Sequence, residues 1–176
     1  MSIYLGGSRH LPPSPIVAQV VQAIQSSGQV HVGCATGADQ QVIQAARPSS
    51  LVVFAAFDHL GAGGWTGSAV QVVWQAKKAG ASVQYLAGGS LSVPLRARLI
   101  CRSQTALIGC SAAVFFCPGS GSLAVAAHAV QSGIPVFAFG GPGGSIPGQA
   151  GQWLQSQFCN FPCWQFQPKV QQPSLF

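Results

Sequence analysis

Short apolar runs alternate along this chain with runs of helical period, separated by brief Gly-, Pro- and Ser-bearing connections. That alternation constrains the fold more than any other property of the sequence. Neighbouring parallel strands need a crossover between them, and a helix of one hydrophobic stripe supplies it. Residues 2–5 read as a first strand running into Gly6-Gly7. Ser14 then stands as an N-cap with Pro15 at the first helical position, and Ile16, Val17, Val20, Val21 and Ile24 follow at helical spacing up to Gly28.

The same unit recurs. Residues 30–32 lead through Gly33 to a helix from about Gly37, with Val42, Ile43 and Ala46 inward and Pro48 as its stop. Residues 51–57 are continuously apolar, as in a parallel strand buried on both faces. After the glycine-rich segment 61–64, Thr66 caps a helix with Val70, Val73 and Trp74 on one face and Lys77 and Lys78 in its last turn. Residues 83–86 form the fourth strand, 94–108 a helix, 112–117 the fifth strand, and 135–139 the sixth after a helix ending at Gly133. A short helix over 149–158 around Trp153 and a short edge strand over 163–166 complete the reading. The expected fold is α/β: a Rossmann-like, doubly wound and mainly parallel sheet of about six or seven strands with helices on both faces. Residues 1–176 read as one domain, with a core over about 2–139 and an irregular extension over 140–176.

Charge narrows the chemistry. Eight Lys and Arg face two acids, Asp39 and Asp58, for a net charge of +6, and charged residues make up 6% of the chain. An ordinary soluble domain carries roughly 25%. Two carboxylates rule out an all-carboxylate metal pair or an EF-hand, and no cysteine or histidine spacing announces a metal centre. Neither a metal nor a cofactor is expected, and the six cysteines, Cys159 and Cys163 included, read as reduced thiols. Most cations lack an internal acid, which points to anionic partners. No apolar run reaches the ~20 residues of a membrane span, and the N-terminus lacks signal-peptide character, so a cytoplasmic chain without a membrane partner is expected. A surface this poor in charge also predicts self-association into a homo-oligomer.

Three strand-to-helix turns are rich in small residues: Gly6-Gly7-Ser8-Arg9, Gly33 through Thr36 and Gly37 to Asp39, and Gly119-Ser120-Gly121-Ser122. In a doubly wound sheet all three fall on the carboxyl edge, where glycines let backbone N–H groups approach a phosphate and helix N-termini add positive potential. Arg98 and Arg102, four apart on one helix, share a face and offer bidentate guanidinium contacts. Asp39, in a first helical turn, is favoured there by ~0.3–1 kcal/mol of dipole interaction and would fix its loop or orient a ligand hydroxyl. Asp58 either binds a ribose, acts as a base or caps the loop after it. The run Gly119 to Ala124 fits GxGxxG/A, but no acid follows about 20 residues on, which disfavours hydride transfer with NAD. No nucleophile–base pair is visible.

Taken in order, Ile3 to Arg9, Gly33 to Asp39, Arg98 with Arg102, Ala113 to Ser122 and Gly133 to Val136 resemble the SMF/DprA–LOG (SLOG) superfamily of Rossmann-like domains. The resemblance implies a domain that binds nucleotides or nucleotide-derived ligands over these loops. Its Lonely Guy branch implies N-glycosidic cleavage of nucleoside monophosphates by a glutamate in PGGxGTxxE. Here Val125 falls at that position, leaving Asp39 and Asp58 as the catalytic candidates. Its DNA-processing protein A branch implies single-stranded DNA as a partner.

Overall fold

The computed structural model describes residues 1–63, 68–86, 94–142 and 144–169, the side chains of Leu95 and Arg96 excepted. The helix cap expected at Thr66 lies outside the described residues. Strands and helices alternate as β1 (Ser2–Gly7), α1 (Pro15–Gln25), β2 (Gln29–Val32), α2 (Ala38–Ala45), β3 (Leu51–Ala55), α3 (Ser68–Lys78), β4 (Ser82–Tyr85), α4 (Leu95–Leu107), β5 (Cys110–Phe116), α5 (Ser120–Gln131), β6 (Val136–Phe139), β7 (Gly151–Phe158) and β8 (Phe161–Pro168). The strands form one sheet in the order β4-β3-β2-β1-β5-β6-β8-β7. The first six positions pair in parallel, and β8 and β7 add antiparallel at one side.

Strand alternation sorts the core into two layers. Ile3, Leu5, Val30, Val32, Val53 and Val114 pack under α1, α2 and α3. Tyr4, Val52, Phe54, Ala113 and Phe115 face α4 and α5. All five residues of β3 are buried, as its unbroken apolar run requires. In α3, Val70 and Val73 are buried but Trp74 is 41% exposed, on the flank of that stripe.

The sheet has eight strands where about six or seven were expected. The expected helix around Trp153 is instead β7, which pairs with β8 from Gly151↔Pro168 to Phe158↔Phe161. The turn between them places Cys159 at φ 52° and Asn160 at φ 67°, the left-handed pair of a tight hairpin. A Cys-Asn pair carries a weaker hairpin signal than Asn-Gly, and the glutamine-rich flanks have no apolar period to read. The expected short strand over 163–166 belongs to this longer β8, which lies inside the sheet with β7 at its edge.

Candidate anion-binding cleft

Strand order reverses at β1 and β5: β2, β3 and β4 extend to one side and β6 to the other. The connections leaving the carboxyl ends of β1 and β5 therefore diverge, and a crevice opens between them. It is a cleft of about 640 Å³ walled by Gly7, Ser8 and Arg9 after β1 and by Gly119, Ser120, Gly121 and Ser122 at the start of α5. Asp39 and Arg102 also reach it. Helix α5 begins at an N-cap glycine, Gly119, without a side-chain cap and without an acid in its first turn. Its first N–H groups thus face the cleft without an intrahelical or capping acceptor, at the positive end of the helix dipole.

The loop after β1 is clamped from both sides. Ser8 N–H donates to Phe116 O at 3.0 Å, and Ser8 O accepts from Ala38 N–H at 3.0 Å. Thr36 Oγ1 donates to Arg9 O at 3.3 Å. A Cβ on Gly7 would run into Phe116 O and come within 2.9 Å of Ala38 Cβ. Gly37 has φ 71°, and a Cβ there would meet Ser8 O and the Arg9 carbonyl. The second glycine loop accordingly packs beneath the first. Gly6, Gly33, Thr36 and Gly37 are not among the residues lining the cleft; Thr36 and Gly37 support the loop that does line it, and Gly6 and Gly33 leave room for side chains at its floor.

Among the described side chains of α4, Arg102 is the one cation that lines the cleft. Its side chain is 6% exposed, and Nη1 lies 3.5 Å from Asp39 Oδ2. That oxygen accepts from Ala35 N–H at 3.0 Å, so Asp39 ties its own loop to the arginine. A Cβ on Gly33 would collide with the Arg102 guanidinium, so the arginine passes directly over backbone that only glycine leaves open. Nε and Nη1 of Arg102 are buried without a hydrogen-bond partner, Nη1 meeting Asp39 only as an ion pair. Burying two ions costs several kcal/mol each. At 3.5 Å and an effective dielectric of about 20, their attraction is about 5 kcal/mol. Desolvation wins on the carboxylate side: burial pushes the Asp39 carboxyl above its ordinary value, against the pull of Arg102 and the Ala35 N–H. The pair is a poor stability device and an open one, with guanidinium donors left to satisfy.

Tyr4 lines the same floor. Burial, then the Asp39 charge, raises its hydroxyl to about 12, so it acts as a neutral hydrogen-bonding group. Its approach explains Gly6, whose Cβ would lie 2.8 Å from the Tyr4 hydroxyl oxygen. Tyr4 was legible in principle, since strand alternation turns it away from Ile3 and Leu5 toward α4 and α5. His10, Leu99, Ile100 and Ser103 also line the cleft, and no local motif announced them; Val125, which the third glycine-loop motif singled out, lines it as well.

The remaining candidates lie elsewhere. Arg98 is not among the residues lining the cleft, although its Nε and Nη1 are buried without a partner. Asp58 caps its own turn: Oδ1 accepts from Leu60 N–H and Ala62 N–H, each at 2.9 Å. Cys117, at φ 45°, turns its Sγ toward Gly140 O at 3.9 Å. Cys159 is exposed at the hairpin turn and Cys163 is buried in β8. Among the described residues no three His, Cys, Asp or Glu gather as a metal site, and no helix is long and apolar enough to cross a membrane.

No protein-family model matches the chain, and no curated protein does. A solved structure of DNA processing protein A from Helicobacter pylori, described for its single-stranded DNA binding mode, superposes with a TM-score of 0.59 at 14% identity. The match covers 78% of this chain and 64% of that one, so this chain spans less than two thirds of its neighbour. At that identity the likeness is one of architecture: the chain has a fold like that of DNA processing protein A.

Proposed function

We propose that the chain, acting as one unit over residues 1–176, binds a nucleotide or nucleotide-derived ligand by its phosphate. The observation that carries this reading is Arg102, 6% exposed with Nε and Nη1 lacking hydrogen-bond acceptors, opening into a cleft that the uncapped start of α5 also lines. A phosphate between them would take guanidinium hydrogen bonds from one side and the N–H groups at Gly119 to Ser122 from the other. The loop at Gly7, Ser8 and Arg9 would close over it, and the volume of about 640 Å³ leaves room for a nucleoside. Gly6, Gly33, Thr36, Gly37 and Asp39 hold these groups in place, and Arg98 adds positive charge from the same helix.

Binding is favoured over turnover. Asp39, the acid in the cleft, is engaged by Ala35 N–H and Arg102, and Val125 presents an apolar wall where the Lonely Guy resemblance asks for a glutamate. Calorimetric titration with AMP, ADP and inorganic phosphate tests the reading. Micromolar to millimolar affinity that falls at least tenfold in Arg102→Ala is expected; no heat with any of the three would defeat it.

The architectural likeness favours a second reading, single-stranded DNA. Phosphate contacts along a strand release counterions, so affinity would fall steeply with salt. Anisotropy of a labelled oligonucleotide, flat from low to moderate salt or undetectable at low salt, would remove it.

A further inference from the structure

A second cavity opens on the same carboxyl edge of the sheet, where the β7–β8 hairpin meets the end of β6. It measures about 590 Å³ and is lined by Gly140 and Gly141 after β6, by Gln155, Ser156 and Gln157 of β7, and by Trp164 of β8 among others. None of these residues is charged, and no Asp, Glu, Lys or Arg occurs between Arg102 and Lys169. A charged group seated here would meet no counter-charge, so this open cavity suits a neutral one.

Its polar equipment is unspent. Trp153, its neighbour across the hairpin, packs edge-on against Phe166 and donates Nε1–H to Gly144 O at 2.9 Å. Trp164 is half-buried, yet its indole has no ring partner and no hydrogen-bond acceptor among the described residues. The exposed amides of Gln155 and Gln157 are likewise uncommitted, whereas Ser156 Oγ donates to Gln165 Oε1 at 3.2 Å. An aromatic face beside amides that each offer donor and acceptor fits a planar heterocycle with both kinds of group on its rim.

The two cavities flank a single turn. Cys117 N–H donates to Phe139 O at 2.8 Å and its Sγ faces Gly140 at the second cavity. Two residues on, Gly119 lines the phosphate cleft. Two Cα steps of about 3.8 Å separate these positions along the chain.

We propose that the hairpin cavity receives a nucleobase, stacked on Trp164 and hydrogen-bonded by Gln155 and Gln157, from a ligand whose phosphodiester sits in the Arg102 cleft. The ligand class is therefore one with at least two linked nucleosides, either a free dinucleotide or a single strand. The inference rests on the phosphate reading above and adds a second subsite to it.

Calorimetry of the full chain with AMP, pApA and a ten-residue oligo(dA) tests it, using Trp164→Leu, which keeps apolar volume in β8, and the surface double variant Gln155→Ala/Gln157→Ala. The expected result is pApA binding about tenfold tighter than AMP, an advantage reduced below threefold in both variants while AMP affinity is unchanged. Equal binding of AMP and pApA to the unmodified chain, or an advantage that survives both variants, overturns the proposal. Oligo(dA) tighter than pApA identifies a strand as the source; equal affinity identifies the dinucleotide. If neither AMP nor phosphate binds, the phosphate cleft has failed and the base site is judged separately. Adenosine quenching of tryptophan fluorescence that is absent in Trp164→Leu upholds it, and no quenching in the unmodified chain ends it.

Discussion

Arg102 Nη1 stands 3.5 Å from Asp39 Oδ2, and the two side chains meet over Gly33, where a Cβ would collide with both. A cation from α4 is thus held against the start of α2 across the carboxyl edge of the sheet. Asp39→Asn would leave the buried guanidinium without its counter-charge. Removing one partner of a buried pair costs about 3–5 kcal/mol, but the raised Asp39 carboxyl shows that this site favours a neutral side chain over the carboxylate. Urea unfolding should therefore show a loss well below that figure, smaller still if an anion such as phosphate is present to take the place of the carboxylate.

Gly33→Ala tests the steric half of the same arrangement. The added methyl would displace the Arg102 guanidinium, and overpacking of this kind costs about 1–3 kcal/mol. The midpoint of urea unfolding should fall accordingly, and phosphate or AMP affinity should fall with it. Unchanged stability together with unchanged affinity would show that Arg102 does not sit over this backbone in solution.

The pH dependence of stability has a definite sign. The Asp39 carboxyl is raised in the folded chain, so between its ordinary value of 3.8 and its folded value the native state holds more protons than the unfolded one. Stability is therefore greatest below that window and declines as pH rises through it. A second decline is expected above about pH 9, because burial raises the Cys110 thiol from 9.0 to about 11. Urea midpoints across pH should show both slopes, the first missing in Asp39→Asn and the second reduced in Cys110→Ala.

Val125→Glu would set a carboxylate in the wall of the cleft. Like charge opposite a phosphate should weaken AMP binding by at least about tenfold, or 1.4 kcal/mol, with the effect shrinking at high salt. Equal affinity for the variant would place the phosphate away from this wall.

Asp58→Ala provides the contrast. It frees the N–H groups of Leu60 and Ala62, for which a cost of about 0.5–2 kcal/mol is expected. Thermal unfolding should register that loss while AMP affinity stays unchanged. A drop in affinity comparable with that of Arg102→Ala would return Asp58 to the site.

By itself the sequence determined the architecture and the edge at which ligands are to be sought. Apolar runs such as the one around Val52 and Phe54, each followed by a small-residue turn and a helical stripe, have few solutions other than a parallel sheet wound on both faces. Those signals are local, carried by residues within a few positions of one another. What the tertiary structure alone decided was how residues far apart in the chain divide the work. Gly33 and Gly37 look identical to Gly119 and Gly121 in sequence, yet the first pair supports a neighbouring loop or arginine and the second opens on the cleft. Arg98 and Arg102 occupy one helical face, and a single turn of rise puts one in the cleft and keeps the other out of its lining. The hairpin of β7 and β8 escaped because pairing across a tight turn compensates for glutamines with no apolar period, and that pairing is a contact between strands rather than a property of either one.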